Sequence, residues 1–192
     1  MNLQLVGFTL EDSGATSQIS QAFTVTVAPQ ADPVVFAALP KTTAAGTAVN
    51  LDLNLQPGDD TGTGTGENPA ETITVNLQAS SDLVASATGG TLVRVASGHW
   101  RFTGTAAEGN TLAVQPFGAA GELELSVGVN TTDGASVGSV TTVTLPIEVT
   151  GSASTLTGDG SANTLTGTAG ADLIIGGGGS DILSGAGGAD YF

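Results

Sequence analysis

The chain of 192 residues has no cysteine, and only three of its side chains, Lys41, Arg94 and Arg101, are cationic beside 18 acidic ones. The absence of cysteine excludes a disulfide framework and any thiolate metal site. The scarcity of Lys and Arg excludes nucleic acid as a partner, because binding to phosphates requires clustered cations. The net charge of −15 instead favours cations as ligands, since divalent ions at acidic loops would relieve the self-repulsion of the folded chain.

Long apolar runs are missing too. Nowhere do 18 or more apolar residues follow one another, and the first 20 residues lack a basic stretch followed by an apolar one. We therefore expect neither a membrane span nor an N-terminal signal peptide. Disorder of the whole chain is not expected, because 40% of the residues are hydrophobic.

Catalytic side chains are equally scarce. His99 is the only histidine, and the metal-protease motif H-E-x-x-H is absent. Catalysis by a nucleophile needs a base within reach, so His99 is better explained as an exposed strand residue. We predict that the chain is not an enzyme.

Alternation of Val, Thr, Leu and Ile with polar residues runs between turn signals through the first 150 residues and predicts an all-β protein. In the segment Gly98–Phe102, this alternation places Trp100 and Phe102 on one face, which makes Trp100 a predicted core anchor. The number of short strands and the regular turns fit an Ig-like or cadherin-like β-sandwich. The predicted strands cover residues 3–10, 22–28, 47–55, 72–78, 91–96, 99–104, 111–116, 121–129 and 139–149.

An internal repeat indicates where the domains begin and end. Val6-Gly7-Phe8 and Asp12 recur 121 residues later as Val127-Gly128-Val129 and Asp133. Residues 1–32 are therefore predicted to be the last strands of a preceding Ig-like repeat, residues 33–150 a complete sandwich, and residues 151–192 a separate segment. Pro33 supports the first boundary, because the residue before a proline is pushed toward an extended conformation.

The stretch Gln56–Asn68 has no apolar residue and is predicted to be an exposed loop. Its acidic residues Asp59, Asp60 and Glu67 could hold a cation. Simple solvation of these carboxylates is the favoured interpretation, because the ligand spacing of an EF-hand loop is not met.

After Thr150 the composition changes to Gly, Ala, Ser, Thr and Asp, and single large apolar residues follow at intervals of nine: Leu156, Leu165, Ile174, Leu183 and Phe192. In this register the repeats cover residues 158–166, 167–175, 176–184 and 185–192. The last three share Gly at positions 1 and 4, Asp at position 6 and an apolar residue at position 8. Three consecutive matches at four fixed positions exclude a flexible Gly/Ser linker.

This spacing has a physical interpretation. Glycine at positions 1 and 4 permits positive φ, so that a six-residue loop can turn its carbonyl oxygens inward, and Asp at position 6 adds a carboxylate. Calcium takes six to eight oxygen ligands and suits such a loop. The other three residues would form a short strand with position 8 pointing inward. Two nonapeptides would complete one coil, so that equivalent loops stack 18 residues apart.

The nonapeptides resemble the RTX repeats, which form a calcium-binding parallel β-roll. The resemblance implies that each Ca²⁺ lies between two stacked loops, bound by position-1 and position-3 carbonyls and by position-6 side chains. Asp172 would face Asp190, and Asp181 would face Asn163, whose uncharged amide predicts a weaker site. The implied ligands are Asn163, Gly167, Ala169, Asp172, Gly176, Gly178, Asp181 and Asp190, with Gly185 and Gly187 serving a coil beyond Phe192.

The chain is also similar to the large repetitive adhesins that bacteria export by type I secretion. This similarity rests on Ala31-Asp32-Pro33, Gly46–Leu51 and Gly98–Phe102. It implies a truncated segment of a secreted, extracellular cell-surface protein whose partners are calcium ions and neighbouring repeats. One alternative is a self-associating subunit of a surface layer or filament, in which strands 3–28 complete a neighbour's sheet. A second is the carrier end of a secreted hydrolase, for which no catalytic residues are apparent.

Overall fold

The computed structural model describes residues 31–56 and 71–192, together with four short strands within the first 30 residues. These parts are all-β, as the alternation predicted, with one helix of four residues, α1 (Ala106–Gly109). Within them, no helix is long and apolar enough to cross a membrane. The strands are β1 (Asn2–Leu3), β2 (Phe8–Asp12), β3 (Ala15–Ile19), β4 (Val25–Thr26), β5 (Lys41–Ala44), β6 (Val49–Asn50), β7 (Thr72–Ala79), β8 (Leu83–Ser86), β9 (Thr91–Ala96), β10 (His99–Gly104), β11 (Ala113–Pro116), β12 (Gly121–Asp133), β13 (Ser136–Val137), β14 (Thr141–Thr150), β15 (Ser154–Thr157), β16 (Thr164–Thr166), β17 (Asp172–Ile175) and β18 (Ile182–Ser184).

The larger sheet has seven strands in the order β5-β14-β12-β7-β10-β9, with β13 paired to β12. All its pairs are antiparallel except β14 with β5. In β7, buried Ile73, Val75 and Leu77 alternate with more exposed residues, which is the pattern of a strand with one face on the core. The smaller sheet has the order β6-β11-β8.

Residues of both sheets form one hydrophobic core. Phe102 and Leu125 of the larger sheet are fully buried in the same cluster as Leu83 and Val114 of the smaller one. Burial of each such side chain stabilises the fold by about 1.5–3 kcal/mol. This core draws on no residue after Val149.

Residues 51–55 correct the predicted strand 47–55, of which only Val49–Asn50 is regular. Leu51, Leu53 and Leu55 are buried, as the alternation suggests. Asp52 and Asn54 between them have positive φ, 50° and 49°. Such left-handed residues cannot continue a sheet ladder, and short polar Asp and Asn tolerate them best.

Two strands were not predicted, β5 and β8. Three of the four residues of β8, Leu83, Val84 and Ala85, are buried, so the strand shows no alternation between a polar and an apolar face. The sequence therefore offered no period-2 signal there. The short helix α1 begins with a capping box between Thr105 and Glu108, which was also missed.

Trp100 is not a fully buried anchor. Phe102 is fully buried, whereas Trp100 is half-buried and packs at the edge of the main core, with its Nε1–H donating to the carbonyl of Leu83 at 2.9 Å. The same indole also contacts a second, smaller cluster that contains Leu173. Trp100 therefore lies where the two-sheet unit meets the C-terminal segment.

The described strands of the first 30 residues pair among themselves, β1 with β4 and β2 with β3. The sequence repeat appears in their pairing: Asp12 lies opposite Ala15, and Asp133 opposite Ser136, at equivalent positions of two hairpins. The assignment of residues 1–32 to a preceding domain stays a prediction. Residues 57–70, with Asp59, Asp60 and Glu67, lie outside the described residues.

Candidate metal centre

The C-terminal segment is built from parallel strand pairs. β15 pairs with β17, so that Ser154 lies opposite Asp172, and β16 pairs with β18, so that Thr164 lies opposite Ile182. Leu173 forms a further parallel bridge with Tyr191. Each pairing joins residues 18 positions apart, which is two nonapeptides.

The six-residue loops between these strands also stack in pairs. Loop 158–163 lies against loop 176–181, where the N–H of Gly178 donates to the carbonyl of Asp159 at 2.8 Å. Loop 167–172 lies against loop 185–190 in the same way, where Gly187 N–H donates to the Thr168 carbonyl at 3.1 Å. The position-3 residues stack as well, since a Cβ on Gly187 would lie 3.7 Å from the Cα of Ala169.

On the first edge of the segment, Asp172 and Asp190 come together. The N–H of Asp172 donates to Oδ1 of Asp190 at 3.1 Å. The carboxylate of Asp172, which is fully buried, accepts from the N–H of Thr168 at 2.6 Å and from its hydroxyl at 3.2 Å. Thr168 thus fixes the orientation of Asp172.

On the second edge, Asn163 and Asp181 come together by the same contact, with the N–H of Asn163 donating to Oδ1 of Asp181 at 2.9 Å. The amide oxygen of Asn163 accepts from the N–H of Asp159 at 2.9 Å. The two edges therefore share one geometry and differ in charge, since one carries two carboxylates and the other a carboxylate and an amide.

Oxygen atoms converge on the position-1 glycines. A Cβ on Gly167 would lie 2.5 Å from Oδ2 of Asp172 and 2.8 Å from the carbonyl oxygen of Gly185 in the stacked loop. On the other edge, a Cβ on Gly158 would overlap the carbonyl of Gly176 and the amide oxygen of Asn163. Any side chain at these positions would fill the space between a stacked carbonyl and a position-6 side chain.

The position-1 glycines are therefore required for close approach, and the expected positive φ at this position is wrong. Positive φ occurs instead at positions 2 and 4 of the second coil: Gly177 (84°), Gly179 (107°), Ala186 (65°) and Gly188 (103°). In the first coil, the position-2 side chains of Asp159 and Thr168 accept from the N–H two residues later, at 2.8 and 3.1 Å, and stabilise the turn in another way.

The electrostatics of the first edge favour the ionised carboxylate. The backbone N–H of Thr168 holds the pKa of Asp172 below its usual range; burial acts in the opposite direction, and hydroxyls of Thr168 and Ser154 add to the lowering. Hydrogen bonding by the N–H of Ser161 likewise lowers the pKa of Asp159. Both groups are anionic at neutral pH, so the loops present negative charge to a cation.

The oxygen donors fit calcium. Among the described residues, no group of three or more His, Asp and Glu side chains could hold a metal ion. The ligand set would instead combine backbone carbonyls with pairs of position-6 side chains, which suits a hard cation of flexible coordination. Gly158, Thr168 and Asp159 were missed as site residues. For Gly158 the nine-residue register itself carried the signal, whereas position 2 shows no common residue type.

The segment also contacts the two-sheet unit. Leu173 of β17 is buried in a cluster with Val84 of β8 and Phe117, against which Trp100 packs. Beside it, Ala153 and Gly118 exchange two backbone hydrogen bonds of 2.9 and 3.1 Å.

Residues 157–192 match the family model of the RTX calcium-binding nonapeptide repeat, in four copies. No curated protein matches the chain. Among solved structures, the chain is similar to the crystal structure of the S-layer protein SbsC domains 4 and 5, with 12% sequence identity and a TM-score of 0.30. The similarity covers 68% of this chain, which spans 58% of the length of that structure. A TM-score at this level does not establish a shared fold.

Proposed function

We propose that the chain is a segment of a secreted bacterial surface adhesin, in which an Ig-like or cadherin-like sandwich (33–150) acts as a spacer and residues 151–192 fold as a calcium-binding β-roll. The match to RTX repeats and the net charge of −15 support the calcium-binding part. The continuous two-sheet core, independent of the C-terminal segment, supports the spacer part.

One observation carries the proposal: stacked loops bring the Asp172 and Asp190 carboxylates together beside position-1 carbonyl oxygens. In the first site, the carbonyls of Gly167 and Ala169 would join these two carboxylates. In the second, the carbonyls of Gly176 and Gly178 would join Asp181 and Asn163. A bound Ca²⁺ would supply the positive charge that offsets the repulsion between carboxylates in each stack.

Calcium binding would then control folding. The glycine-rich loops lose much conformational entropy when they order, and apposed carboxylates add repulsion. Binding free energy becomes folding free energy in such modules. Calcium at about 10⁻³ M, as outside cells, would fold the roll, whereas low intracellular calcium would leave it unfolded for export.

We assign no catalytic role to the described residues. His99 is paired within the larger sheet, opposite Gln78 on one side and Ala96 on the other. A strand position of this kind offers no nucleophile and base in contact.

Calcium titration followed by far-ultraviolet circular dichroism tests the proposal. We expect β signal to appear with calcium and not with equimolar Mg²⁺, which prefers a stricter octahedron and retains water. The control is the double variant Asp172→Asn and Asp181→Asn, which keeps size and loses charge. A parent chain whose spectrum ignores calcium would refute the proposal.

The second candidate is a subunit of a surface layer or filament. It is favoured by β9, which forms one edge of the larger sheet and exposes Val93 and Val95 at 44% and 49%. Exposed edge strands without charged or proline residues readily pair with other chains. Analytical ultracentrifugation in calcium distinguishes the two: the spacer stays monomeric, whereas a subunit polymerises and Val93→Lys prevents it.

A further inference from the structure

The two edges of the C-terminal segment differ at position 7 of the repeat, directly after the position-6 carboxylate. On the first edge, Leu173 follows Asp172 and is 3% exposed, whereas on the second edge Ile182 follows Asp181 and is 67% exposed. Both residues are aliphatic, of nearly equal size and in equivalent strands. The difference therefore comes from what covers them.

The two-sheet unit covers Leu173. Val84 and Phe117, which are 7% and 2% exposed, form the buried cluster with it, and Trp100 packs against that cluster. Val84 is not part of the main core, so its side chain serves this contact. This explains why β8 is buried on both faces.

Asp172 is held on both sides along the chain. The preceding residue, Ala171, contacts the turn at Gly46 so closely that a Cβ on Gly46 would overlap its methyl group. The next residue, Leu173, is the docked one. The strand beside it, β15, is tied to the two-sheet unit through Ala153 and Gly118. Asp181 has no comparable contact with the two-sheet unit among the described residues.

We propose that Leu173 is a positioning residue, through which the two-sheet unit holds Asp172 ready for calcium and makes the Asp172 and Asp190 site fill before the Asn163 and Asp181 site. Docking removes part of the entropy that ordering of the first edge would otherwise cost. The second edge, with Ile182 exposed, orders only when it binds. This inference rests on the proposed calcium function and adds the regulation of its sites.

Calcium titration of the full chain by isothermal calorimetry, with Trp100 emission followed in parallel, tests the inference. We expect Leu173→Ser to weaken the tighter site at least about tenfold, since the loss of a buried leucine contact corresponds to that much or more. The matched variant Ile182→Ser should change the affinity less than about twofold, because its side chain is already exposed. Calcium should alter Trp100 emission in the parent and in Ile182→Ser, and much less in Leu173→Ser.

Val84→Ser separates docking from the internal stability of the roll, because this residue belongs to the two-sheet unit. It should weaken the tighter site in the same direction as Leu173→Ser, while urea unfolding in EGTA shows that the two-sheet unit remains folded. Equal effects of Leu173→Ser and Ile182→Ser, or no effect of Val84→Ser, would overturn the inference although the parent binds calcium. A parent that binds no calcium would refute the proposed function itself.

Discussion

Asp172 and Asp190 lie one coil apart, and the backbone N–H of Asp172 donates to the Oδ1 of Asp190 at 3.1 Å. Asn163 and Asp181 repeat this contact on the other edge at 2.9 Å. The two pairs have the same backbone arrangement, so the difference between carboxylate and amide is isolated in one position.

This comparison predicts an order of effects on calcium affinity. Asp172→Ala removes a charged ligand, and Asn163→Ala removes a neutral one, so the first substitution should weaken its site more than the second. Isothermal titration of the parent and the two variants measures both. Unchanged affinity in Asp172→Ala would show that the nine-residue register is assigned wrongly.

Acid should destabilise the calcium-loaded segment below about pH 4. The pKa of Asp172 is lowered in the folded chain, chiefly by the N–H of Thr168. Its contribution to stability is therefore fully present above the unfolded pKa and is lost as the pH falls through the lower folded pKa. Thr168→Val removes the hydroxyl part of this effect, so the acid midpoint, followed by circular dichroism, should rise. A midpoint that does not move would show that the hydroxyl is without effect.

Backbone conformation at positions 2 and 4 gives a third prediction. Ala186 and Gly188 both have positive φ, 65° and 103°. Ala186→Gly should stabilise the calcium-loaded segment by up to about 1 kcal/mol, because an L side chain is strained there. Gly188→Ala should destabilise it, also because a Cβ would overlap the carbonyl of Gly170.

Gly160→Ala is the control for this pair. A Cβ on Gly160 would meet nothing within 4 Å, and its φ is not positive. The substitution should be neutral or should stabilise by about 0.4–1 kcal/mol. Equal destabilisation by Gly160→Ala and Gly188→Ala in thermal unfolding would contradict the loop conformation.

Trp100 should report on the removal of calcium. Chelation is expected to free its contacts with the Leu173 cluster but not its packing on the main core or its bond to Leu83. The emission should therefore shift part of the way to the red. A shift to the fully exposed position would mean that the two-sheet unit itself depends on calcium.

The sequence predicted much of this arrangement, and the failures have physical causes. Spacing by nine predicted a regular C-terminal repeat, because local glycine and aspartate positions specify each loop. The same spacing could not distinguish Leu173 from Ile182, since burial of one and exposure of the other depend on Val84 and Phe117, far away along the chain.

Residues 51–55 show a second limit. Alternation of leucine with Asp52 and Asn54 correctly marked which side chains are buried, yet the backbone is not a strand. A period of two describes burial on one side, and left-handed residues at every second position produce it as well. The strand β8 failed for the opposite reason, because burial of both faces removes the period.

Hydrogen exchange of the full chain, with calcium and with EGTA, tests the central claim most directly. With calcium, the amides of Gly158, Gly167, Ile174, Gly178 and Ile182, which bond between coils, should be protected. In EGTA, protection should be lost from residues 154–192 while the strands β7, β10, β12 and β14 keep theirs. Protection of the inter-coil amides that is the same with and without calcium would contradict the account.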